Sequence, residues 1–149
     1  MALKIKNKQD TKKLSKKISD ILSVGDVLTL RGELGVGKTA LARDVINNLS
    51  KSNTDVTSPT FNLLQIYDTS KGEVHHFDLY RVKNIEEIYE LGIEDSFANA
   101  ITIIEWPELA ENILPNNIID IELSYGNSEE ERVAKIVNNG RFKNTDISI

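Results

Sequence analysis

Apolar positions along this chain recur with two periods. Leu14, Ile18, Ile21 and Leu22 share one helical face, because side chains one turn apart lie above one another. Leu41, Val45 and Leu49, with Ala42 and Ile46 beside them, predict a second helix. Val27-Leu28-Thr29-Leu30 lies between the two and reads as a short buried strand. Phe61 to Tyr67 and Glu73 to Tyr80 read as strands. Thr69-Ser70-Lys71-Gly72 between them makes a β-hairpin the simplest connection. Ala100-Ile101-Thr102-Ile103-Ile104 is continuously apolar and rich in β-branched residues, the pattern of a central strand buried on both faces. Ile118 to Tyr125 and Arg132 to Val137 predict a closing antiparallel pair.

Punctuation refines these elements. Thr11 is placed to cap the first helix, and Gly25-Asp26 turns the chain into the first strand. Ser50 to Asp55 is polar and reads as a surface loop, and Pro59 then excludes helix and extends Ser58. Asn84 with Glu87 has the form of a capping box, Gly92 ends that short helix, and Pro107 suits the first position of another. Residues 1–10 and 141–149 read as loose termini. Repeats, low-complexity stretches and linkers are lacking, so residues 1–149 are expected to form one domain.

Composition narrows the function classes. A chain of 149 residues with 40% hydrophobic and 28% charged residues is globular in type. No apolar run approaches the ~20 residues of a membrane helix, and no signal core follows the N-terminal lysines. With no cysteine, disulfides and thiolate metal sites are excluded, which fits a cytoplasmic protein. The net charge of −5 argues against broad nonspecific nucleic-acid binding. Met1 to Lys17 nevertheless holds seven lysines and one acid, either a solvated helix face or a patch for RNA or an acidic partner.

The candidate chemistry starts between the first strand and the second helix. Gly32-Glu33-Leu34-Gly35-Val36-Gly37-Lys38-Thr39 fits G-x-x-x-x-G-K-[ST], the phosphate-binding P-loop pattern. Glycines let backbone N–H groups approach phosphate oxygens. Lys38 places a charge at the β- and γ-phosphates, and Thr39 offers a hydroxyl to Mg²⁺. A helix starting near Lys38 aims its positive end at the same anion. Strand, loop and helix in that order are the context the motif requires. Nucleotide contact is expected from Glu33, Leu34, Gly35, Val36, Gly37, Lys38, Thr39 and Ala40.

A P-loop also needs groups that hold Mg²⁺ and aim the attacking water. The hydroxyls of Ser58-Pro59-Thr60 are one candidate set, and the same residues suit a proline-directed turn. Asp78, in His76-Phe77-Asp78-Leu79-Tyr80-Arg81, reads either as a metal-side carboxylate or as a solvated strand-end acid. Glu105 directly follows a buried strand, where ligands bind in open α/β sheets. Its neighbour Trp106 reads by itself as core. His75 and His76 are adjacent in a strand and point to opposite faces, so a zinc site is rejected.

These stretches, with Glu90-Leu91-Gly92 and Ile104-Glu105-Trp106-Pro107-Glu108, resemble in order and spacing the TsaE (YjeE) family of bacterial tRNA threonylcarbamoyladenosine biosynthesis. The resemblance runs from about Leu14 to Leu123; the last 25 or so residues match poorly. It implies an α/β P-loop NTPase domain with a mixed, partly antiparallel sheet flanked by helices. It implies ATP or ADP and Mg²⁺ as ligands, and a TsaB–TsaD complex as partner, with tRNA met through that complex. No DNA or membrane partner is implied. By motif match, Thr60 corresponds to a switch-like contact to Mg²⁺ and the γ-phosphate, Asp78 to the Walker B acid, Glu105 to the catalytic-side carboxylate and Trp106 to an aromatic beside the nucleotide. Lys38, Asp78 and Glu105 are then the catalytic set, and Thr39, Thr60, Asp78 and Glu105 the metal set.

Two further readings share the P-loop: a phosphotransferase acting on a small molecule, and a nucleotide-binding switch without useful catalysis. A kinase needs an acceptor pocket and usually a lid, and no Arg-rich lid stands out here. The expected function is an ATPase, slow alone, that supports modification of ANN-decoding tRNAs by its partner complex.

Overall fold

The computed structural model describes residues 1–50, 56, 59 and 62–149. Its strands are β1 (Ala2–Ile5), β2 (Val27–Arg31), β3 (Leu64–Thr69), β4 (Gly72–Asp78), β5 (Ile101–Glu105), β6 (Ile118–Tyr125) and β7 (Arg132–Asn138). They form one sheet in the order β1-β7-β6-β2-β5-β4-β3. β4, β5, β2 and β6 run parallel, while β3, β7 and β1 pair antiparallel at the two sides. The sheet is therefore mixed, as the α/β expectation has it.

The residue pattern explains the order. β2 and β5 are the most continuously apolar strands and lie at the centre, buried on both faces. Leu28, Leu30, Ile103 and Ile121 point to one face, against helices α1 (Lys8–Ile21) and α2 (Lys38–Ser50). Val27, Phe77 and Ile104 point to the other, against helices α3 (Ile85–Glu90) and α4 (Ile93–Asn99) and a short 3-10 helix (Pro107–Ile113). Parallel strands place all their C-terminal ends at one edge, and the candidate site lies there.

Local signals act as expected in several places. Asn84 caps α3 by accepting from Glu87 N, and Pro107 opens the 3-10 helix. The hairpin closes at Thr69↔Gly72. Lys71 at its tip donates to the carbonyls of Ser19, Asp20 and Leu22, placing a cation at the carbonyl end of α1. Gly92 ends α3 with a left-handed backbone and also stands before α4, a helix the sequence pattern did not predict.

Three expectations are corrected. Residues 1–10 are not loose: β7 would otherwise be an open edge, and Ala2–Ile5 pairs with it while Ile5 enters the core. Residues 141–149 are tied down as well. Phe142 and Ile147 are buried, and Arg141 pairs with Asp26, which raises the pKa of its guanidinium. Thr11 is not the cap of α1. Asn7 accepts from Asp10 N at 3.1 Å, and Asp10 accepts in return from Lys6 N at 2.9 Å. This reciprocal pair satisfies the helix start one turn earlier. The polar loop expected at Ser50 to Asp55 and the extended Val56 to Phe61 fall mostly outside the described residues.

Candidate functional site at the carboxyl edge of the sheet

β2 delivers the chain into the P-loop at Gly32, whose φ of 137° favours glycine. A Cβ there would lie 2.4 Å from the Leu123 carbonyl oxygen, so the loop's close approach to β6 also excludes a side chain. The loop turns through Val36 N donating to Glu33 O and enters α2 at Lys38. The first residues of α2, Lys38, Thr39 and Ala40, line a recess, so the amide end of the helix lies at it.

Lys38 is buried, only 4% exposed. Its Nζ donates to Gly32 O at 2.6 Å and Glu33 O at 2.7 Å, and lies 4.2 Å from the centre of the Trp106 ring. Burial lowers the pKa of this amine; Glu105, Asp78 and Glu108 oppose the shift. Thr39 Oγ1 donates to Glu105 Oε1 at 2.8 Å. Glu105 Oε2 in turn accepts from His76 Nε2 at 2.6 Å. Asp78 and Glu105 are register partners at the ends of β4 and β5, both nearly fully buried. Asp78 Oδ1 accepts from Tyr80 N at 3.0 Å. Trp106 leaves β5 in a left-handed conformation, with φ of 57°, and its ring tilts against Tyr80 at 4.7 Å.

Lys38, Thr39, Asp78, Glu105 and Trp106 line one recess of about 260 Å³ with Leu34, Gly35, Gly37 and Ala40. Residues separated by 66 positions in the chain meet here. Glu33 contributes its carbonyl, while Val36 turns its side chain into the core. Thr60, with Ser58 and Phe61, lies outside the described residues.

Two residues that matter were not singled out as site residues. His76 stands beside His75 and opens the stretch that carries Asp78; the period-two alternation of β4 sets it on the same face as Asp78. Arg132 gave no local signal. Its Nε donates to Val36 O at 2.9 Å across 96 positions, tying β7 to the P-loop. Arg132 also borders a second hollow of about 570 Å³, which shares Gly37 and Ala40 with the recess and reaches the start of α1 at Asn7, Lys8 and Thr11.

The donor set suits a small hard cation. It consists of a hydroxyl and two carboxylates, all oxygen, beside a cradle for phosphate. Among the described residues no group of three or more His, Cys, Asp or Glu is placed to hold a metal ion.

Comparison with known proteins places the chain in a family. Residues 5–134 match the family described as threonylcarbamoyl adenosine biosynthesis protein TsaE. A Rickettsia felis protein named tRNA threonylcarbamoyladenosine biosynthesis protein TsaE is 41% identical over 135 residues, covering 91% of this chain and 78% of the relative. The Bacillus subtilis protein of that name is 29% identical over 138 residues, covering 92% and 85%. The crystal structure of Bacillus subtilis YdiB superposes with a TM-score of 0.72 at 25% identity, covering 94% of this chain and 86% of that one. The family match spans most of the sequence and the close relative nearly all of it; the chain belongs to the TsaE family.

Proposed function

We propose that this chain is a Mg²⁺-dependent, cytoplasmic ATP-binding and hydrolysing subunit that supports a TsaB–TsaD complex in threonylcarbamoyladenosine modification of ANN-decoding tRNAs. One observation carries the reading: Lys38, Thr39, Asp78 and Glu105 converge on a single recess at the carboxyl edge of the parallel strands. The β- and γ-phosphates fit the loop, where Lys38 exchanges the Gly32 and Glu33 carbonyls for phosphate oxygens. The nucleoside extends toward the neighbouring hollow, reached past Gly37 and Ala40. Thr39, Asp78 and Glu105, with Thr60, would hold Mg²⁺, which when bound neutralises charge on the phosphate oxygens. Trp106 closes one side of the recess and stacks toward Lys38. No helix among the described residues is long and apolar enough to cross a membrane.

The two carboxylates take separate roles. Asp78→Asn should weaken Mg²⁺-dependent nucleotide binding by about 10-fold. Glu105→Gln should leave binding largely intact and slow hydrolysis by about 10²-fold, as expected for loss of a group that positions or deprotonates water. Calorimetry and turnover on both variants check this, and the reverse pattern would mean the roles are exchanged. Phosphate release without any added acceptor separates the ATPase from a small-molecule phosphotransferase. Tight ADP binding with no hydrolysis, even beside TsaB–TsaD and tRNA, would identify a nucleotide switch instead.

Trp106 is the only tryptophan. Its ring lies beside the Lys38 ammonium, so phosphate binding must change its surroundings. Its fluorescence should shift on adding ADP or ATP. A silent signal, with binding established by calorimetry, would return Trp106 to a purely structural role.

A further inference from the structure

The least explained group behind the recess is His76, which touches its lining residue Glu105. This histidine is fully buried, and its Nδ1 has no hydrogen-bond partner among the described residues. A buried ring with one nitrogen unsatisfied is a costly way to fill space that an apolar side chain would fill at lower cost. What the ring provides is its other nitrogen. A carboxylate only accepts, so Nε2 carries the proton and donates to Glu105 Oε2 at 2.6 Å. The Glu105 side chain, itself 3% exposed, is thereby held at one oxygen. Its second oxygen accepts from Thr39 Oγ1. With the hydroxyl proton committed to Glu105, the Thr39 oxygen lone pairs face away from that carboxylate.

β4 and β5 make the chain of contacts possible. His76 and Asp78 share one face of β4, and the register sets Ile103 beside His76 and Glu105 beside Asp78. Glu105 therefore reaches back along the sheet to His76 and across to Thr39 at once.

We propose that His76 is a positioning residue: through the chain His76–Glu105–Thr39 it fixes the carboxylate and orients the threonine hydroxyl toward the cation that accompanies a bound nucleotide. The inference rests on the nucleotide-binding reading above. Outer partners of this kind typically change metal affinity or activity by about 10- to 100-fold when removed.

The test is calorimetry of ADP, with and without Mg²⁺, on the wild-type chain, His76→Gln and His76→Leu. The glutamine amide can still donate from a similar position; leucine cannot. The affinity for ADP alone should be the same in all three. The gain on adding Mg²⁺ should persist in His76→Gln and fall about 10-fold or more in His76→Leu. A general loss of structure would instead move both affinities together. A Mg²⁺ gain equal in all three, or lost equally in a folded His76→Gln, overturns the proposal. If His76→Leu does not fold, long-range ¹H–¹⁵N spectra of the wild-type chain decide. A protonated Nε2 whose signal moves with Mg²⁺ and ADP supports the proposal; an unprotonated or unmoved one overturns it. Absence of ADP binding in the wild-type chain removes the nucleotide reading and this proposal together, whereas intact wild-type binding with unresponsive variants removes this proposal alone.

Discussion

Replacing Lys38 with alanine should lower ATP turnover by on the order of 10³-fold or more, since loss of even one donor aimed at developing charge costs about 10²–10³. Lys38 brings a full charge, and the structure holds that charge at the mouth of the glycine loop through the Gly32 and Glu33 carbonyls. The ammonium is desolvated there, which lowers its pKa and favours exchange of the carbonyls for a phosphate. The variant should still fold. Lys38 is only 4% exposed, so its removal also touches packing around Trp106. Two lost hydrogen bonds are offset by relief of a buried charge, so the melting temperature should move by only a few degrees. Phosphate release and a thermal melt on the same preparation check both halves. Undiminished turnover in the folded variant would remove the phosphate-binding assignment.

How much of this site could be read in advance depends on the range of the forces involved. The P-loop is a local device: its glycines, its lysine and the strand and helix around it occur within one short stretch, and its geometry follows from those residues. The cap at Asn84 and the hairpin at Ser70-Lys71 are local in the same way. Strand-end placement located Asp78 and Glu105, because a buried parallel strand presents its last residue to the carboxyl edge. The hydrogen bond from Thr39 to Glu105 needs the register of β2 on β5, which no local pattern carries. The termini differ from their local pattern for a related reason. Ala2–Ile5 has too few residues to announce a strand alone; it becomes one because β7 offers an unpaired edge. Arg132 at the P-loop likewise follows from the antiparallel return of β7 beside β6. His76 is legible in part, since alternation along β4 puts it on the face of Asp78, but its bond to Glu105 needs the pairing of β4 with β5.

Hydrolysis by the chain alone should be slow, and a TsaB–TsaD complex should accelerate it by about 10³–10⁵, the range an arginine supplied in trans gives to P-loop enzymes. The argument comes from where the cations stand. Fast phosphoryl transfer needs positive charge on both sides of the transferred group. Lys38 is one source. Arg31 is bound to Asp120 and Glu111, contacts that raise its pKa against the opposing effect of burial and hold it toward the 3-10 helix. Arg43 donates to Val56 O. Arg132 is bonded to Val36 O, Glu129 O and Glu131 O. Arg141 pairs with Asp26 at the turn before β2, the end of that strand away from the P-loop. Arg81 follows Asp78 at the surface, so Arg81→Ala is the control: an unchanged basal rate leaves the second charge to the partner. The exposed Leu34 lines the recess, and the exposed Tyr80 packs tilted against Trp106 beside it, so a chain docking on Leu34 would reach phosphates bound in the loop. Phosphate release with and without TsaB–TsaD and tRNA measures the effect. Full turnover in the isolated chain, unchanged by the complex, would count against a partner-supplied charge and against the proposed dependence of hydrolysis on a partner complex.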